Sequence, residues 1–347
     1  MMRLKAYGAI AAVTVTTSVF GAIRFADFRE DMAAKVDAAK KANSFVVAGQ
    51  DGWLFFMPEL RHLSVGTFWG DSAREVSQAT SPALADPLAP ILDFRDQLTK
   101  AGIDLLVVPV PAKAAVYPEE IDPGMVNTAS NRLDAADAHF IGVLQQNGVN
   151  VIDLTPAFIQ YRSDHPNHPL YSKEDTHWSG YGLGLAADLV AAQVRKEAWF
   201  VGVPQEKFSS QSGSVSVTGD LVDMMTAGKP GPESIVLTDV KDSKGGPVQS
   251  WRQSPLVLLG DSHNLIYSVG GDMLAVSSGF PENLAARIGF APDVVGVRGS
   301  GATPARNNLA RRADNMAGKK MVVWCFSVRE FTEGTGWRKV PVIKAGR

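Results

Sequence analysis

The sequence predicts an α/β fold in which helices flank a mainly parallel sheet. Three continuous apolar runs of strand length occur at residues 103–109, 255–260 and 321–326. Runs without polar alternation are typical of central parallel strands that are covered on both faces. Segments of helical periodicity, such as 88–101 and 133–146, lie between the predicted strands. This alternation favours layered α/β architecture over an all-helical or all-β fold.

The composition is that of a folded protein, and the net charge gives no sign of a polyanionic partner such as nucleic acid. The chain has 347 residues, of which 45% are apolar and 20% charged, and its net charge is −2. One large domain or two smaller ones would suit this length. The near-neutral charge gives no indication of nucleic-acid binding. No Gly-x-Gly-x-x-Gly loop follows a strand, so we predict no nucleotide cofactor.

The N-terminal residues have the pattern of a membrane signal. Arg3 and Lys5 precede an uncharged run from Tyr7 to Ile23, and Arg24 follows it. We predict that residues 1–24 form an uncleaved signal anchor, a transmembrane helix, because no clean cleavage site is apparent. A cleaved signal peptide and a buried soluble helix are the alternatives. The basic flank predicts a single-pass protein of the cell inner membrane with its body in the periplasm.

The predicted elements follow in order from residue 25. Residues 25–43 are predicted to be an exposed stalk helix, and the body, 44–347, opens with a β-hairpin around the Gly-rich turn 49–52. An irregular segment follows at 63–81. Gly102 and Asn147-Gly148 are predicted to end two helices. We predict helices at 88–101, 133–146, 155–161, 180–197, 280–289 and 309–317, and strands at 103–109, 149–154, 255–260, 294–297 and 321–326.

Residues 201–250 interrupt this alternation. They are rich in Gly, Ser, Pro, Thr and Val and contain only short apolar runs. We predict a small β-rich insertion or lid within the same domain.

A first chemical motif, Gly260-Asp261-Ser262-His263-Asn264, follows the apolar run 255–260. Ligands of open α/β sheets bind beyond the carboxyl ends of the strands. A serine at that place can expose its hydroxyl, and the neighbouring main-chain N–H groups can face an oxyanion. Taken alone, the motif is also compatible with an ordinary turn.

A second motif is Asp175-Thr176-His177-Trp178. The carboxylate of Asp175 can hold the imidazole of His177 while the imidazole faces a serine elsewhere in the fold. A hydroxyl nucleophile needs this support from a base and an orienting group. The pair is equally compatible with a surface loop until it is combined with Ser262.

Several patches, taken together, resemble the SGNH-hydrolase-like (flavodoxin-like) domain of the alginate O-acetyltransferase family, which includes AlgJ and AlgX. The resemblance covers roughly residues 46–331. The patches are residues 49–55, 107–113 with Tyr117-Pro118, 175–178, 219–221, 260–262, 322–324 and 329–331.

The resemblance implies specific roles. It implies that Ser262 is the nucleophile, His177 the general base and Asp175 its orienting partner, and that the fold is circularly permuted because His and Asp precede Ser. It also places Arg329 near the acyl group. His263 departs from the family, where an aromatic residue is more usual, and we expect it to line the pocket.

Two further residues are predicted to belong to the site. The oxyanion would be held by the Ser262 N–H and by Asn264 or Arg329. Trp178 could line the site or belong to the core.

Other polar and aromatic residues are weaker candidates. Histidines and acids between Asp164 and His177 could ligate zinc by type, but their spacing matches no zinc motif, so no metal site is predicted. Trp53, Trp69 and Tyr181 could stack on sugars, although core packing is favoured for Trp53. The basic cluster Arg306, Arg311, Arg312, Lys319 and Lys320 suggests a solvated helix face more than a polyanion site. Cys325, the single cysteine, lies in an apolar run and is interpreted as a buried hydrophobe.

The sequence therefore predicts a serine-dependent O-acetyltransferase that acts on an exported, alginate-like polysaccharide. The family implies a membrane-bound O-acyltransferase partner as acetyl donor. A carbohydrate acetyl esterase with the same triad is the nearest alternative. A catalytically inactive polysaccharide-binding scaffold is the non-enzyme alternative.

Overall fold

Five parallel strands form the central sheet in the computed structural model, which describes residues 25–128 and 131–344. Two further pairs of strands are antiparallel and lie outside it. The strands are β1 Val46–Ala48, β2 Leu54–Phe56, β3 Asp104–Val110, β4 Asn150–Val151, β5 Ser209–Val217, β6 Glu233–Lys241, β7 Leu256–Gly260, β8 Asp293–Gly296 and β9 Met321–Ser327. The order in the sheet is β4-β3-β9-β7-β8.

The strand order is a circular permutation of the flavodoxin-like order 2-1-3-4-5. If the count starts at β7 and passes from β9 to β3, the sheet reads β8-β7-β9-β3-β4, which is 2-1-3-4-5. Every adjacent pair is parallel. The α/β fold with a parallel sheet is therefore confirmed. In this order the switch point, where such sheets bind ligands, lies between β7 and β9.

Burial explains why the central strands are apolar throughout. All residues of β7 and β9 are buried, and so are all residues of β3 after Asp104. Val323 of β9 stands in register with Leu106 of β3 and with Leu258 of β7. Each of these positions is surrounded by protein on both faces of the sheet, so no polar alternation is possible.

Thirteen α-helices, several of them a single turn long, surround the sheet in the described part of the chain. They are α1 Phe25–Lys41, α2 Met57–Ser64, α3 Ala73–Val76, α4 Leu88–Lys100, α5 Lys113–Val116, α6 Pro118–Ile121, α7 Ala135–Gln146, α8 Leu154–Asp164, α9 Gly180–Val194, α10 Asp220–Met224, α11 Phe280–Ile288, α12 Thr303–Arg311 and α13 Glu330–Glu333. Helices α4 and α8 contact β3, and α12 contacts β7 and β8. This arrangement covers the sheet that holds the site.

Two predicted boundaries are wrong for local reasons. The helix predicted at 309–317 is α12, which starts six residues earlier beside Pro304 and ends at Arg311. Ala313 and Asn315 have positive φ and cannot continue a helix. The strand predicted at 149–154 is only β4, because Asp153 accepts a hydrogen bond from Thr155 N (3.2 Å) and so caps α8.

The prediction of an exposed stalk at residues 25–43 is wrong in its exposure. Helix α1 forms there, but Phe28, Met32 and Val36 are buried and belong to the main core. The helix contacts α2 and β1. Apolar residues four apart form one face of a helix, and here that face is covered by the body.

The region 201–250 contains the antiparallel ribbon β5–β6, paired from Ser209–Lys241 to Val217–Glu233. Helix α10 follows β5 directly and brings Asp220 towards the site.

The predicted signal anchor at residues 1–24 lies outside the described residues. Among the residues that are described, no helix is long and apolar enough to cross a membrane.

Candidate active site

The serine of the first motif lies at the carboxyl end of β7, beside the switch point. Asp261 caps a short 3₁₀ turn, Ser262–Asn264, by accepting a hydrogen bond from His263 N (2.9 Å). Its other carboxylate oxygen accepts from Ser327 N at the end of β9 (2.8 Å). One side chain therefore joins the ends of the two neighbouring strands and fixes the turn that carries Ser262.

Two glycines allow the close approaches that the site requires. A Cβ on Gly260 would lie 1.7 Å from Cys325 O, and a Cβ on Gly219 would lie 2.1 Å from Glu174 O. No side chain fits at either position. Gly260 thereby lets β7 turn tightly against β9, and Gly219 lets α10 meet the segment that carries Asp175.

Ser262, His177 and Asp175 form a continuous hydrogen-bonded series. His177 Nε2 is 2.7 Å from Ser262 Oγ, and His177 Nδ1 is 2.6 Å from Asp175 Oδ1. All three residues are buried, with Ser262 the most accessible at 6%. These distances are those of a nucleophile, a base and an orienting group. The structure thus brings together the three residues that the sequence predicts as catalytic.

The Asp175 carboxylate is held by main-chain donors as well as by the imidazole. Oδ1 accepts from His177 N (2.9 Å), and Oδ2 accepts from Asp220 N (2.8 Å). Asp220 in turn accepts from Thr176 N (2.8 Å) and Thr176 Oγ1 (2.6 Å). Both oxygens of Asp175 are therefore engaged, and the imidazole is held in one orientation.

The electrostatic environment favours a charged His177–Asp175 pair. Burial disfavours the charged imidazolium, but the Asp175 carboxylate outweighs burial and raises the pKa of His177. Burial likewise opposes ionisation of Asp175, yet the imidazole and two main-chain N–H groups hold its pKa below the usual range. Burial and the charge of Asp175 raise the pKa of Asp220.

A cavity of about 480 Å³ opens beside Ser262 and His177. Its lining combines charged groups with a few apolar side chains. The lining residues are Phe56, Pro58, Thr176, His177, Asp220, Met224, Ser262, Asp272, Met273, Arg298, Gly299, Arg329, Glu330 and Glu333. This is the space in which an acyl group could meet the Ser262 hydroxyl.

Arg329 lines this cavity, as the sequence predicts. Its Nη1 is 3.7 Å from Glu59 Oε1 and 3.4 Å from Ser327 Oγ. Its guanidinium lies over the ring of Phe56, 5.3 Å from the centroid. A side chain so held presents a fixed positive charge beside the site.

The expectation that Asn264 holds the oxyanion is wrong in this geometry. Asn264 is fully buried, and its Nδ2 donates to Cys325 O (2.8 Å) and Asp261 O (3.4 Å). Its Oδ1 has no hydrogen-bond partner among the described residues. The amide supports the turn between β7 and β9 and does not line the cavity.

His263 and Trp178 do not line the cavity either. His263 is 1% exposed, and its Nδ1 is 3.0 Å from Asp261 Oδ1. The ring of His263 lies 4.8 Å from the ring of His177. The fully buried Trp178 packs edge-on against the ring of His263 at 5.3 Å. Burial lowers the pKa of His263. His263 therefore packs against His177 from the core side, and Trp178 packs against His263.

Two residues of the predicted basic surface cluster are also buried in the core. Arg306 is fully buried beside Trp324 (5.1 Å) and donates to Pro90 O (3.2 Å), and Lys319 is buried against Asp293 (2.7 Å). The prediction of one solvated basic face is therefore wrong for these two residues. Trp53 is buried, as favoured. The single cysteine, Cys325, is fully buried, and burial raises the pKa of its thiol well above the usual value.

Aromatic stacking explains the histidine-rich segment before the second motif. The ring of His168 stacks on Tyr181 at 4.2 Å and lies 5.5 Å from the ring of His165.

Asp175, His177 and Asp220 offer three potential metal-ligand atoms within 4.8 Å of one another. Their hydrogen bonds to each other and to main-chain N–H groups use the atoms that would bind an ion.

Lys113 has no role predicted from the sequence, although it lies in one of the patches that resemble the family. The side chain is 1% exposed, and its Nζ donates to Ser172 O (2.8 Å), Leu54 O (2.9 Å) and Lys173 O (3.2 Å). It thus ties β2 to the segment that leads into Asp175. The sequence signal for a buried lysine is its place three residues after the end of a buried strand, between apolar residues.

Comparison with known proteins identifies the family. The family model described as an SGNH hydrolase-like domain of the acetyltransferase AlgX matches residues 46–328. The chain belongs to this family. The resemblance predicted from the ordered patches is thereby confirmed.

Curated relatives carry two names. The chain is 28% identical over 181 residues to the probable alginate O-acetylase AlgJ of Pseudomonas aeruginosa, covering 52% of this chain and 41% of that protein. It is 25% identical over 230 residues to AlgJ of Pseudomonas putida, covering 63% and 54%. It is 26% identical over 170 residues to the alginate biosynthesis protein AlgX of P. aeruginosa, covering 48% and 31%. The chain spans about half the length of the curated relatives it matches or less.

Solved structures support the fold. The O-acetyltransferase domain of P. putida AlgJ superposes with a TM-score of 0.60 at 23% identity, covering 83% of this chain and 92% of that chain. AlgX of P. aeruginosa superposes with a TM-score of 0.58 at 20% identity, covering 82% and 62%. At this identity the likeness concerns the fold alone.

Proposed function

We propose that this AlgX-family chain is a serine-dependent O-acetyltransferase that modifies hydroxyls of an exported polysaccharide. The observation that carries the proposal is the hydrogen bond of 2.7 Å between Ser262 Oγ and His177 Nε2, in a cavity large enough for a sugar. The relatives named alginate O-acetylase support the acetyl group and the polysaccharide class.

The first half of the reaction forms an acetyl-enzyme. Ser262 Oγ attacks the carbonyl carbon of an acetyl ester while His177 Nε2 takes the hydroxyl proton. The tetrahedral intermediate collapses, the ester's alkoxide leaves, and His177 returns the proton to it. Asp175 stabilises the imidazolium between these steps and stays ionised. The products of this half are the free alcohol and an acetyl ester on Ser262.

The second half repeats these steps with a sugar hydroxyl. His177 takes the proton of the acceptor hydroxyl, whose oxygen attacks the acetyl carbon. Ser262 leaves and recovers its proton from His177. Transfer outcompetes hydrolysis when the acceptor is positioned near the acetyl carbon and water is partly excluded.

The oxyanion of both intermediates is assigned to two groups. The Ser262 N–H makes no hydrogen bond to another residue in the described part of the chain, so it can donate to the oxyanion. Arg329 lines the same cavity and supplies a fixed positive charge. Donors held in place before the reaction cost no reorganisation when the negative charge develops.

The proposed cellular setting follows from the sequence and the family. Residues 1–24 anchor the chain in the cell inner membrane, and the catalytic domain faces the periplasm. A periplasmic enzyme has no direct supply of a cytoplasmic acyl thioester. We therefore assign the acetyl donor to a membrane-bound O-acyltransferase partner.

An acetyl-transfer assay tests the proposal. The full chain is supplied with a chromogenic acetyl ester, with and without an oligosaccharide acceptor. We expect acetylated sugar from the wild type and from the exposed control Ser163→Ala, and none from Ser262→Ala. Free acetate alone, unaffected by any acceptor, would identify a carbohydrate esterase. No turnover of the ester, together with sugar binding, would identify an inactive scaffold.

A further inference from the structure

An apolar lip continues the catalytic cavity onto the surface of the protein. Phe56 and Met224 line the cavity beside Ser262. Phe45 lies outside this lining, and its ring is 6.4 Å from the ring of Phe56 and tilted by 34° to it. We call Phe45, Phe56 and Met224 the apolar lip. In the described part of the chain Phe45 is 59% exposed and Met224 is 43% exposed, so the lip has a face that is open to a ligand.

The lip is held in place by packing of its own. The main-chain oxygen of Phe45 accepts a hydrogen bond from Met57 N (2.8 Å), which closes the open end of the β1–β2 hairpin. The guanidinium of Arg329 lies 5.3 Å from the centroid of the Phe56 ring. A small cluster, separate from the main core, joins β2 to α10, and Phe56 packs against it. Its buried members are Leu54, Leu221 and Val222. The lip is therefore a fixed surface, and a ligand need not order it.

The exposure of Phe45 has no explanation within the described part of the chain. Single exposed apolar side chains are common on protein surfaces. Six large apolar side chains are exposed among the described residues, and Phe45 is the only aromatic one. It is also the one that continues the lining of the cavity through Phe56. An aromatic ring left open beside a nucleophile is a feature that suits recognition of a substrate.

The size of the lip favours a sugar over a protein as its occupant. A specific protein interface covers about 800 Å² of each partner and involves about 20–30 residues. The lip consists of three side chains, which is the area that one or two pyranose rings cover. The C–H face of a pyranose packs on an aromatic ring, and its hydroxyls remain in water. Nothing in this contact depends on whether the sugar is charged.

We propose that the apolar lip is a sugar-stacking subsite, centred on Phe45, that holds the acceptor polysaccharide outside the catalytic cavity. The proposal rests on the proposed function and deepens it. The sugar unit to be acetylated enters the cavity, and a neighbouring unit of the same chain packs on Phe45. A second point of attachment positions the acceptor hydroxyl near the acetyl carbon and so favours transfer to the sugar over transfer to water.

The dependence of transfer on acceptor length tests the proposal. The full chain receives the chromogenic acetyl ester and either a dimer or a hexamer of β-1,4-linked mannuronate. A second series uses β-1,4-linked glucose, so that lengths are compared within one sugar, charged or neutral. A dimer occupies the cavity, whereas a hexamer also reaches the lip. We expect kcat/KM for transfer to be about tenfold higher for the hexamer in the wild type. Equal values for both lengths would overturn the proposal.

Variants of Phe45 identify the side chain that reads the length. Phe45→Ala should lower the ratio of hexamer to dimer kcat/KM to about two or less, because the stacking surface is lost. Phe45→Trp keeps an aromatic face and should hold the ratio at or above the wild-type value. Val201→Ala removes an exposed apolar side chain that is absent from the cavity lining and should leave the ratio unchanged.

The possible failures are distinguishable. If Phe45→Ala leaves the ratio at the wild-type value, or Phe45→Trp lowers it as much as Phe45→Ala does, the subsite is overturned while the proposed function stands. An unchanged ratio would assign Phe45 to contact with a protein partner. Absence of any acetyl transfer that depends on Ser262, with either sugar, overturns the proposed function and the subsite with it.

Discussion

The main-chain N–H of Asp220 donates a hydrogen bond of 2.8 Å to Asp175 Oδ2. Through it, helix α10, which follows strand β5 of the ribbon, supports the carboxylate that orients His177. The contact is possible because Gly219 allows the chain to approach Glu174 closely. The region that contains the ribbon therefore contributes directly to the geometry of the candidate site.

Asp175→Asn should remove most of the activity without unfolding the protein. An amide at this position no longer favours the imidazolium, and it can stabilise the wrong tautomer of His177. We expect kcat to fall by about 10³- to 10⁴-fold. Steady-state kinetics with the acetyl ester measure the loss, and circular dichroism checks the fold. A loss of less than tenfold with an intact fold would contradict the assigned role.

The pH profile should report the raised pKa of His177. The base must be neutral to accept the Ser262 proton, so kcat/KM should rise with pH through a pKa above 6.5, the ordinary value of histidine. Asp220 adds to this increase through its charge. Asp220→Asn should therefore shift the acidic limb of the profile to lower pH and reduce the plateau less than Asp175→Asn does. An unshifted limb would exclude Asp220 from the electrostatics of His177.

Lys113→Met should destabilise the fold. Methionine keeps the length of the side chain but leaves the carbonyl oxygens of Leu54, Ser172 and Lys173 without their buried donor. We expect the free energy of unfolding to fall by about 3 kcal/mol in urea denaturation. Lys196→Met, at an exposed position, should change it by less than about 0.5 kcal/mol. Similar values for the two variants would contradict the structural role of Lys113.

The packing of α1 on the body predicts a further difference in stability. Met32→Ala should lower the free energy of unfolding by about 2–4 kcal/mol, because the side chain is fully buried in the core. Lys40→Ala lies on the exposed side of the same helix and should change the value by less than about 0.5 kcal/mol. A small effect of Met32→Ala, equal to that of Lys40→Ala, would show that α1 stands clear of the body.

Local sequence patterns were sufficient to locate the central strands and the two short motifs of the candidate site. Strands β3, β7 and β9 are apolar at every buried position, and such runs can be recognised without a structure. Ser262 and the Asp175–His177 pair lie in short motifs whose residue types suit nucleophilic catalysis. The separation of these two motifs along the chain does not predict their distance in the fold. Only the ordered patches that resemble the family connected them.

The directions of neighbouring side chains could not be obtained from the sequence. His263 and Trp178 directly follow Ser262 and His177 in the sequence, but their side chains are buried against each other and do not line the cavity. Asn264 is likewise buried, and its side-chain amide donates a hydrogen bond to Cys325 O. The role of Lys113 depends on three carbonyl groups far away in the chain, which no local pattern predicts.

Detection of the acetyl-enzyme tests most directly whether Ser262 is the nucleophile. The full chain is mixed with the acetyl ester, quenched in acid within the first turnover, digested and mapped by mass spectrometry. We expect one added acetyl group on the peptide that contains Ser262, lost when an acceptor is supplied and absent in His177→Ala. Acetyl transfer that continues with Ser262 never modified, or with the label on another residue, would contradict it.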